Sequence, residues 1–162
     1  MVSVNAVARR QVAGWISQLR RARMDLGAVS QEQLARRLGV ETDTVRSWEA
    51  GRRIPPLLFL VRFGRELGLR LVVVNQEGRV CAPEIETRGD ESWEQQQVRG
   101  VMAALRSERQ RCGMSQEAVA ARLGMTAWSI TQFERGRRWP RPLVLAAWTS
   151  ALGDTVQWRL MG

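Results

Sequence analysis

The chain has 162 residues, a formal net charge of +9 and 25 basic residues, all of them arginine, because lysine and histidine are absent. No apolar run approaches the ~18 residues that a membrane-spanning helix needs. The N-terminus lacks the order of a secretory signal, since its charges follow its apolar residues. The two cysteines have no metal-binding spacing, which predicts free thiols in a cytosolic protein. Nucleic acid is the first candidate partner for such a charge.

The charge divides the chain into three parts. Residues 1–75 carry a net charge of +7, residues 76–98 a net charge of −4 and residues 99–162 a net charge of +6. This pattern predicts two basic domains, residues 1–75 and 93–162, joined by an acidic connector, residues 76–92.

The two basic domains contain a sequence repeat. Residues 30–55 and 115–140 are identical at 12 of 26 positions, with an offset of 85 residues. The segments before them, residues 11–23 and 97–109, also agree, with an offset of 86. The repeat predicts two copies of one module of about 75 residues, a size near the lower limit for an independent core.

Each copy begins with a predicted pair of helices. The first helix has an apolar face at helical spacing, formed by Val12, Trp15, Ile16 and Leu19 in one copy and by Val98, Val101, Met102 and Leu105 in the other. Gly27 and Gly113 are predicted to end it. The second helix has an N-cap serine, Ser30 or Ser115, and Gln33 completes a capping box in the first copy only. Its inward-facing residues are Leu34, Ala35 and Leu38 in the first copy and Val119, Ala120 and Leu123 in the second.

Two further helices and a strand complete each copy. The second helix ends at Gly39 or Gly124, and a third begins at about Thr42 or Ala127, which gives a helix-turn-helix. A fourth helix is predicted to start at a pair of prolines, which are Pro55 and Pro56 in the first copy and Pro140 and Pro142 in the second. It is predicted to end near Gly68 or Gly153. Strand-like segments follow at residues 69–74 and 155–160. The connector is predicted to be a loop or short hairpin that spans the domains and stays off DNA, or else an acidic mimic of nucleic acid.

The motifs LRxxR, SQExxAxRLG and E-x-G-R-R-x-P each occur twice. In these motifs the sequence resembles the Cro/C1-type (XRE) helix-turn-helix regulators. The resemblance implies a mainly α fold with two tandem lambda-repressor-like helix-turn-helix domains, each followed by a short β-strand. It also implies a sequence-specific, double-stranded DNA-binding regulator of transcription from a bacterium or phage, in the first place a repressor.

The third helix of each copy is expected to contact bases. Its core positions, Val45 and Trp48 in the first copy, leave the opposite face for DNA. By resemblance the base-reading residues are Thr42, Asp43, Thr44, Arg46 and Ser47 in the first copy and Ala127, Trp128, Ser129, Thr131 and Gln132 in the second. The Arg46 guanidinium can donate two hydrogen bonds to guanine O6 and N7, and the Gln132 amide can pair with adenine.

Other residues are expected to contact the DNA backbone or to support the fold. By resemblance the phosphate-binding residues are Gln31, Arg52 and Arg53 in the first copy and Gln116, Arg137 and Arg138 in the second. Phosphate contacts position a protein on DNA without specifying sequence. The family also implies a structural ion pair between the first and third helices, Arg23 with Glu49 and Arg109 with Glu134.

Two recognition positions admit alternatives. Trp128 packs on thymine methyl groups, or it covers a protein contact in a copy that no longer reads DNA. Asp43 is repelled by phosphates unless it accepts a hydrogen bond from cytosine or from an adjacent arginine.

The strands and the partner are also open to more than one interpretation. Some members of the family dimerise through such strands, so the two strands of this chain are expected to pair and to join the domains as a pseudo-dimer, with or without a further homodimer. An alternative function is an antitoxin-type or accessory subunit that binds a partner protein such as a toxin. The chain has no histidine, tyrosine, phosphate-binding loop or metal-ligand cluster, so we expect no enzyme, no cofactor and no bound metal.

Overall fold

The computed structural model describes residues 4–26 and 29–162. Gly27, the predicted end of the first helix, lies outside the described residues. The helices are α1 (Val4–Leu26), α2 (Gln31–Leu38), α3 (Thr42–Glu49), α4 (Leu57–Glu66), α5 (Trp93–Arg111), α6 (Gln116–Leu123), α7 (Ala127–Glu134) and α8 (Pro142–Ala151). The strands are β1 (Leu69–Val74), β2 (Val80–Cys81) and β3 (Thr155–Leu160). The mainly α fold with two tandem helix-turn-helix units is as predicted.

Local capping interactions set the helix ends where the sequence predicted them. The Ser30 hydroxyl accepts from the amide of Gln33, and the Gln33 side chain accepts from the amide of Ser30, which completes a capping box. Ser115 caps α6 in the same way but without a reciprocal partner, because alanine occupies the third position. Gly39 and Gly124 end their helices at φ of 71° and 66°, in the left-handed region that favours glycine.

The predicted apolar faces form the core. All eight residues assigned to the inner face of α1 and α5 are buried, as are the inward-facing residues of α2 and α6, with one exception. Leu123 is only partly buried, at the end of α6. Val45 and Trp48 of α3 and the equivalent Ile130 and Phe133 of α7 are buried, and each of these helices packs on the first and second helices of its repeat.

The two predicted strands pair with each other. β1 and β3 are antiparallel along all six residues, in a sheet of order β2-β1-β3. Val72 lies opposite Gln157, and these two residues are 85 positions apart, which is the offset of the repeat. On either side of this pair, Leu71 lies opposite Trp158 and Val73 lies opposite Val156. Because Leu71 corresponds to Val156 and Val73 to Trp158 in the repeat, these two pairs are equivalent. An approximate two-fold axis therefore passes between Val72 and Gln157.

The first helix of each repeat packs on the fourth helix of the other repeat, which follows the same approximate symmetry. α1 packs on α8, and its equivalent α5 packs on α4. The buried side chains from both repeats form one continuous hydrophobic core. Trp158 of β3 joins the repeats further, because its indole N–H donates to the Trp15 carbonyl at 3.1 Å and its ring lies against Gly64 of α4.

The connector includes a short hairpin and a buried anchor. The Asn75 side chain accepts from the amides of Glu77 and Arg79, and β2 then returns antiparallel to β1. Further on, the Arg99 guanidinium of α5 donates to both carboxylate oxygens of Glu91, at 2.7 and 2.8 Å, and also to the Glu86 carbonyl. This ion pair is buried on both sides and holds the acidic segment on α5.

Candidate nucleic-acid interface

The outer face of α3 carries the predicted first set of base-reading residues. Asp43 and Arg46 are exposed, and Thr42, Thr44 and Ser47 are half-buried at its edges. The Arg46 guanidinium donates to the Asp43 carboxylate at 2.8 Å. This contact matches one of the alternatives for Asp43, an adjacent arginine that offsets its charge. A fully solvated pair of this kind stabilises a protein by about 0–1 kcal/mol, so base or phosphate can displace it easily.

The outer face of α7 carries a different set. Trp128 is 59% exposed, while Ala127, Ser129, Thr131 and Gln132 are half-buried. The Arg138 guanidinium lies over the Trp128 indole, 5.2 Å from its centroid, in a cation–π contact. Thr126 is the N-cap residue of α7, and its hydroxyl accepts from the Ser129 amide. Trp128 and Arg138 thus place an exposed aromatic ring and a cation together at the N-terminal end of α7.

A buried ion pair fixes each recognition helix to the first helix of its repeat. Arg23 donates to both carboxylate oxygens of Glu49 at 2.7 Å. Arg109 contacts Glu134 in the same two-pronged geometry, with a shortest distance of 2.7 Å. Each arginine also donates to a backbone carbonyl before the second helix. The glutamates of the two E-x-G-R-R-x-P motifs are therefore part of the scaffold, as the family implies.

The two predicted phosphate-binding glutamines are tied to these ion pairs. The Gln31 amide donates to Glu49 at 2.9 Å, and the Gln116 amide donates to Glu134 at 3.4 Å. Gln116 also accepts from the Thr131 hydroxyl at 2.6 Å. A primary amide has two N–H donors, so each glutamine keeps one for another acceptor. The hydrogen bonds of Gln31 and Gln116 to the glutamates hold the remaining N–H donor in place at the start of α2 or α6.

The loop arginines are held outward by a tight turn after each recognition helix. Gly51 and Gly136 adopt φ of 74° and 69° at this turn. All four loop arginines are exposed: Arg52, Arg53, Arg137 and Arg138. Arg53 also reaches back to the Thr44 hydroxyl at 3.4 Å, a long contact that leaves most of its donors free.

Two arginines that were not assigned to the interface lie beside these loops. Arg20 borders a surface cleft of about 290 Å³ together with Gln31, Arg46 and Arg52. Its equivalent Arg106 borders a cleft of about 340 Å³ beside the second loop, with Arg88, Arg135 and Arg137 among the other residues. The signal was present in the sequence, because Arg20 and Arg106 are the second residues of the two LRxxR motifs. Each repeat therefore has a basic cleft between its first helix and the arginine-containing loop that follows its recognition helix.

A buried acidic cluster is formed by Glu108 of α5 and Asp154, which precedes β3, with Cys81 of β2 beside them. The Cys81 thiol donates to Glu108 at 3.2 Å, and burial, with this carboxylate, raises the pKa of the thiol to about 12. Asp154 is 3% exposed, and within the described residues no hydrogen bond of regular geometry reaches its carboxylate oxygens. Burial and the nearby Glu108 raise the pKa of Asp154 to about 6. Within residues 4–26 and 29–162, no group of three or more acidic, cysteine or histidine side chains is arranged to hold a metal ion.

Comparison with known families agrees with this geometry. A family model described as "Helix-turn-helix domain" matches residues 17–74, and one described as "Helix-turn-helix" matches residues 105–158. The chain has two helix-turn-helix domains in tandem. The matches support the helix-turn-helix resemblance in both repeats and support a DNA-binding regulator. No curated protein and no solved structure matches the chain significantly. None of the helices in the described part of the chain is long and apolar enough to cross a membrane.

Proposed function

We propose that this tandem helix-turn-helix protein is a sequence-specific repressor of transcription. In this proposal residues 1–75 and 93–162 are its two DNA-binding domains, and they act together as a covalent pseudo-dimer in the cytoplasm. Double-stranded operator DNA is the partner, and bound protein blocks a promoter. We assign no catalytic reaction and no cofactor to this chain.

One observation carries the proposal: two recognition helices with the same scaffold have different outer faces. Equivalent Arg–Glu pairs fix α3 to α1 and α7 to α5. The outward residues nevertheless differ at all five equivalent positions, Thr42/Ala127, Asp43/Trp128, Thr44/Ser129, Arg46/Thr131 and Ser47/Gln132. Two unlike faces on one chain would recognise two unlike half-sites.

The chemistry of the two faces suggests which bases they prefer. Arg46 can donate two hydrogen bonds to guanine, and Gln132 can exchange two with adenine, each discriminating by about 1–3 kcal/mol. Trp128 offers an apolar surface to a thymine methyl group, and Arg138 above it can reach a phosphate. The packing of α1 on α8 and of α5 on α4 supports a fixed distance between the two DNA-binding domains. Half-sites one helical turn apart on DNA would require a distance of ~34–36 Å from centre to centre.

The phosphate contacts would supply most of the affinity. The proposed contacts are Gln31, Arg52 and Arg53 from the first repeat and Gln116, Arg137 and Arg138 from the second, to which we add Arg20 and Arg106. Each phosphate that a protein neutralises lowers log K by about 0.9 per unit of log salt concentration. The acidic connector is held on α5 by Arg99 and Glu91, which supports a role away from DNA.

Selection of bound sequences from random double-stranded DNA tests the proposal. We expect two unlike half-sites about one helical turn apart. Arg46→Ala should relax one half and Gln132→Ala the other, whereas the control Arg159→Ala, at an exposed arginine of β3, should change neither. If no sequence is enriched, or if both variants relax the same half, the proposal is wrong.

Trp128 favours a second candidate function. An indole that is 59% exposed is unusual on a polar surface and common at protein contacts. The second domain would then bind a partner protein, such as a toxin or a second copy of the chain, while the first domain represses the operon. In the selection above this function predicts a single half-site and no effect of Gln132→Ala.

A further inference from the structure

A cavity of about 570 Å³ lies between the two segments that follow the recognition helices. Its walls are residues 54–59 of the first repeat and residues 139–143 of the second. These segments are equivalent, since Ile54 and Pro55 correspond to Trp139 and Pro140 at the offset of 85. The cavity therefore lies on the approximate two-fold axis, and both DNA-binding domains contribute to it.

The size and lining of the cavity resemble those of small-molecule sites. Its volume falls within the roughly 300–1,000 Å³ that such sites occupy. All but one of the lining residues are apolar, with Phe59 and Trp139 as aromatic walls. Prolines on both sides restrict the backbone of the walls, which favours a preformed site. Ile54 is 41% exposed here, although an isoleucine is normally buried.

A single charge breaks the symmetry of the cavity. Arg141 occupies the position equivalent to Pro56, and it is exposed at the start of α8. No acidic residue is among the described residues that line the cavity. One cation beside an apolar volume is complementary to an apolar molecule that carries one anionic group.

We propose that the cavity binds a small aromatic organic anion, with its ring system between Phe59 and Trp139 and its anionic group at Arg141. The ligand would regulate DNA binding, an inference that rests on the proposed function. Arg52 and Arg53 precede the first wall directly, and Arg137 and Arg138 precede the second. A molecule between the walls thus fixes the separation of the two sets of phosphate-binding arginines. By linkage, the ligand and the DNA change each other's affinity by the same factor.

Two fluorescent dyes of similar shape test the site in the full chain without DNA. One is 1-anilinonaphthalene-8-sulfonate, an aromatic anion, and the other is N-phenyl-1-naphthylamine, which lacks the sulfonate. We expect one saturable site for each. Arg141→Gln should weaken the sulfonate about tenfold, as loss of a charge-assisted contact implies, and leave the neutral dye within about twofold. The matched control Arg159→Gln should change neither dye.

Filling the cavity gives the second arm of the test. Leu143→Trp should remove the binding of both dyes, and Leu58→Trp does the same from the opposite wall if the first variant does not fold. Circular dichroism checks that the variant is folded. The proposal is overturned if the wild type shows no saturable site, if Arg141→Gln weakens both dyes equally, or if a folded cavity-filling variant still binds them.

The effect on DNA separates this inference from the proposed function. With operator DNA, a saturating concentration of the sulfonate should change the dissociation constant by about fivefold or more, and the change should disappear in Leu143→Trp. An unchanged dissociation constant overturns the regulatory role. If the protein without dye binds no DNA, the proposed function fails, but the dye titrations still decide whether the cavity is a ligand site.

Discussion

Replacement of Gly64 by alanine tests how the two repeats are joined. Gly64 lies in α4 of the first repeat, and the ring of Trp158 from β3 of the second repeat lies against it. A Cβ atom at position 64 would be 2.3 Å from Cζ3 and 2.9 Å from Cη2 of Trp158. Real Cβ contacts are not this short, so the indole must move. Its N–H would then lose the 3.1 Å hydrogen bond to the Trp15 carbonyl.

The expected cost follows from opposing effects of similar size. Alanine in place of glycine inside a helix stabilises by about 1 kcal/mol. Overpacking a filled core costs about 1–3 kcal/mol, and the lost hydrogen bond costs about 1 kcal/mol more. The net expectation is that Gly64→Ala lowers the free energy of unfolding by about 1–3 kcal/mol. Without the contact to Trp158 the same substitution would raise it.

Urea denaturation followed by circular dichroism measures this difference. Gly14→Ala is the matched control, because Gly14 lies inside α1 and a Cβ atom there would have no neighbour within 4 Å. It should stabilise the protein by up to about 1 kcal/mol. In a Trp158→Leu background, Gly64→Ala should cost much less, because the smaller side chain leaves room. If Gly64→Ala stabilises the wild type as much as Gly14→Ala does, the packing of Trp158 on α4 is wrong.

Three further predictions concern charge. Asp154→Asn should raise the free energy of unfolding at pH 7 by on the order of 2 kcal/mol, since the pKa of Asp154 is about 6 in the fold against ~3.9 in an unfolded chain. Wild-type stability from this group is present below pH ~4 and is lost as the pH rises through 6; urea denaturation at several pH values measures it. Glu134→Gln should lower the free energy of unfolding by about 3 kcal/mol in the same assay, because Arg109 stays buried without its carboxylate. Arg52→Ala should weaken all DNA sequences alike and reduce the salt slope of binding, measured by fluorescence anisotropy, by about 1.

Each of these predictions has a contradicting result. If wild type and Asp154→Asn differ by the same amount at pH 4 and pH 7, Asp154 does not titrate as described. A Glu134→Gln variant as stable as the wild type would mean that the ion pair does not fix α7. An unchanged salt slope for Arg52→Ala, with Arg159→Ala as the control, would place Arg52 away from phosphate.

The sequence alone predicted the local structure well, because its signals are local. The capping serines, the glycines at the helix ends and the apolar spacing each act within one or two turns, so they locate helices without knowledge of the partner. The ion pair of Arg23 with Glu49 was predicted from the family motif. The pairing of β1 with β3 was expected too, and the position of Val72 opposite Gln157 follows the repeat offset.

Other contacts between distant segments could not be predicted in this way. The packing of α1 on α8 depends on which apolar faces meet, and the period of an apolar face does not name its partner. The Glu108 and Asp154 carboxylates are 46 positions apart in the sequence, and only the fold brings them together. The cavity between the two proline-containing segments arises for the same reason. Arg20 and Arg106 are different, since their motif was recognised but their place beside the loops was not.

The central claim is that the two recognition helices read different DNA sequences. Its most direct test gives both repeats the same outer face, by the substitutions Ala127→Thr, Trp128→Asp, Ser129→Thr, Thr131→Arg and Gln132→Ser, which copy residues 42–44, 46 and 47 onto α7. Selection from random DNA should then recover a palindrome built from the half-site that the first repeat prefers. The unmodified chain should recover two unlike halves. If the modified chain still selects the wild-type sequence, α7 does not read DNA and the claim is contradicted.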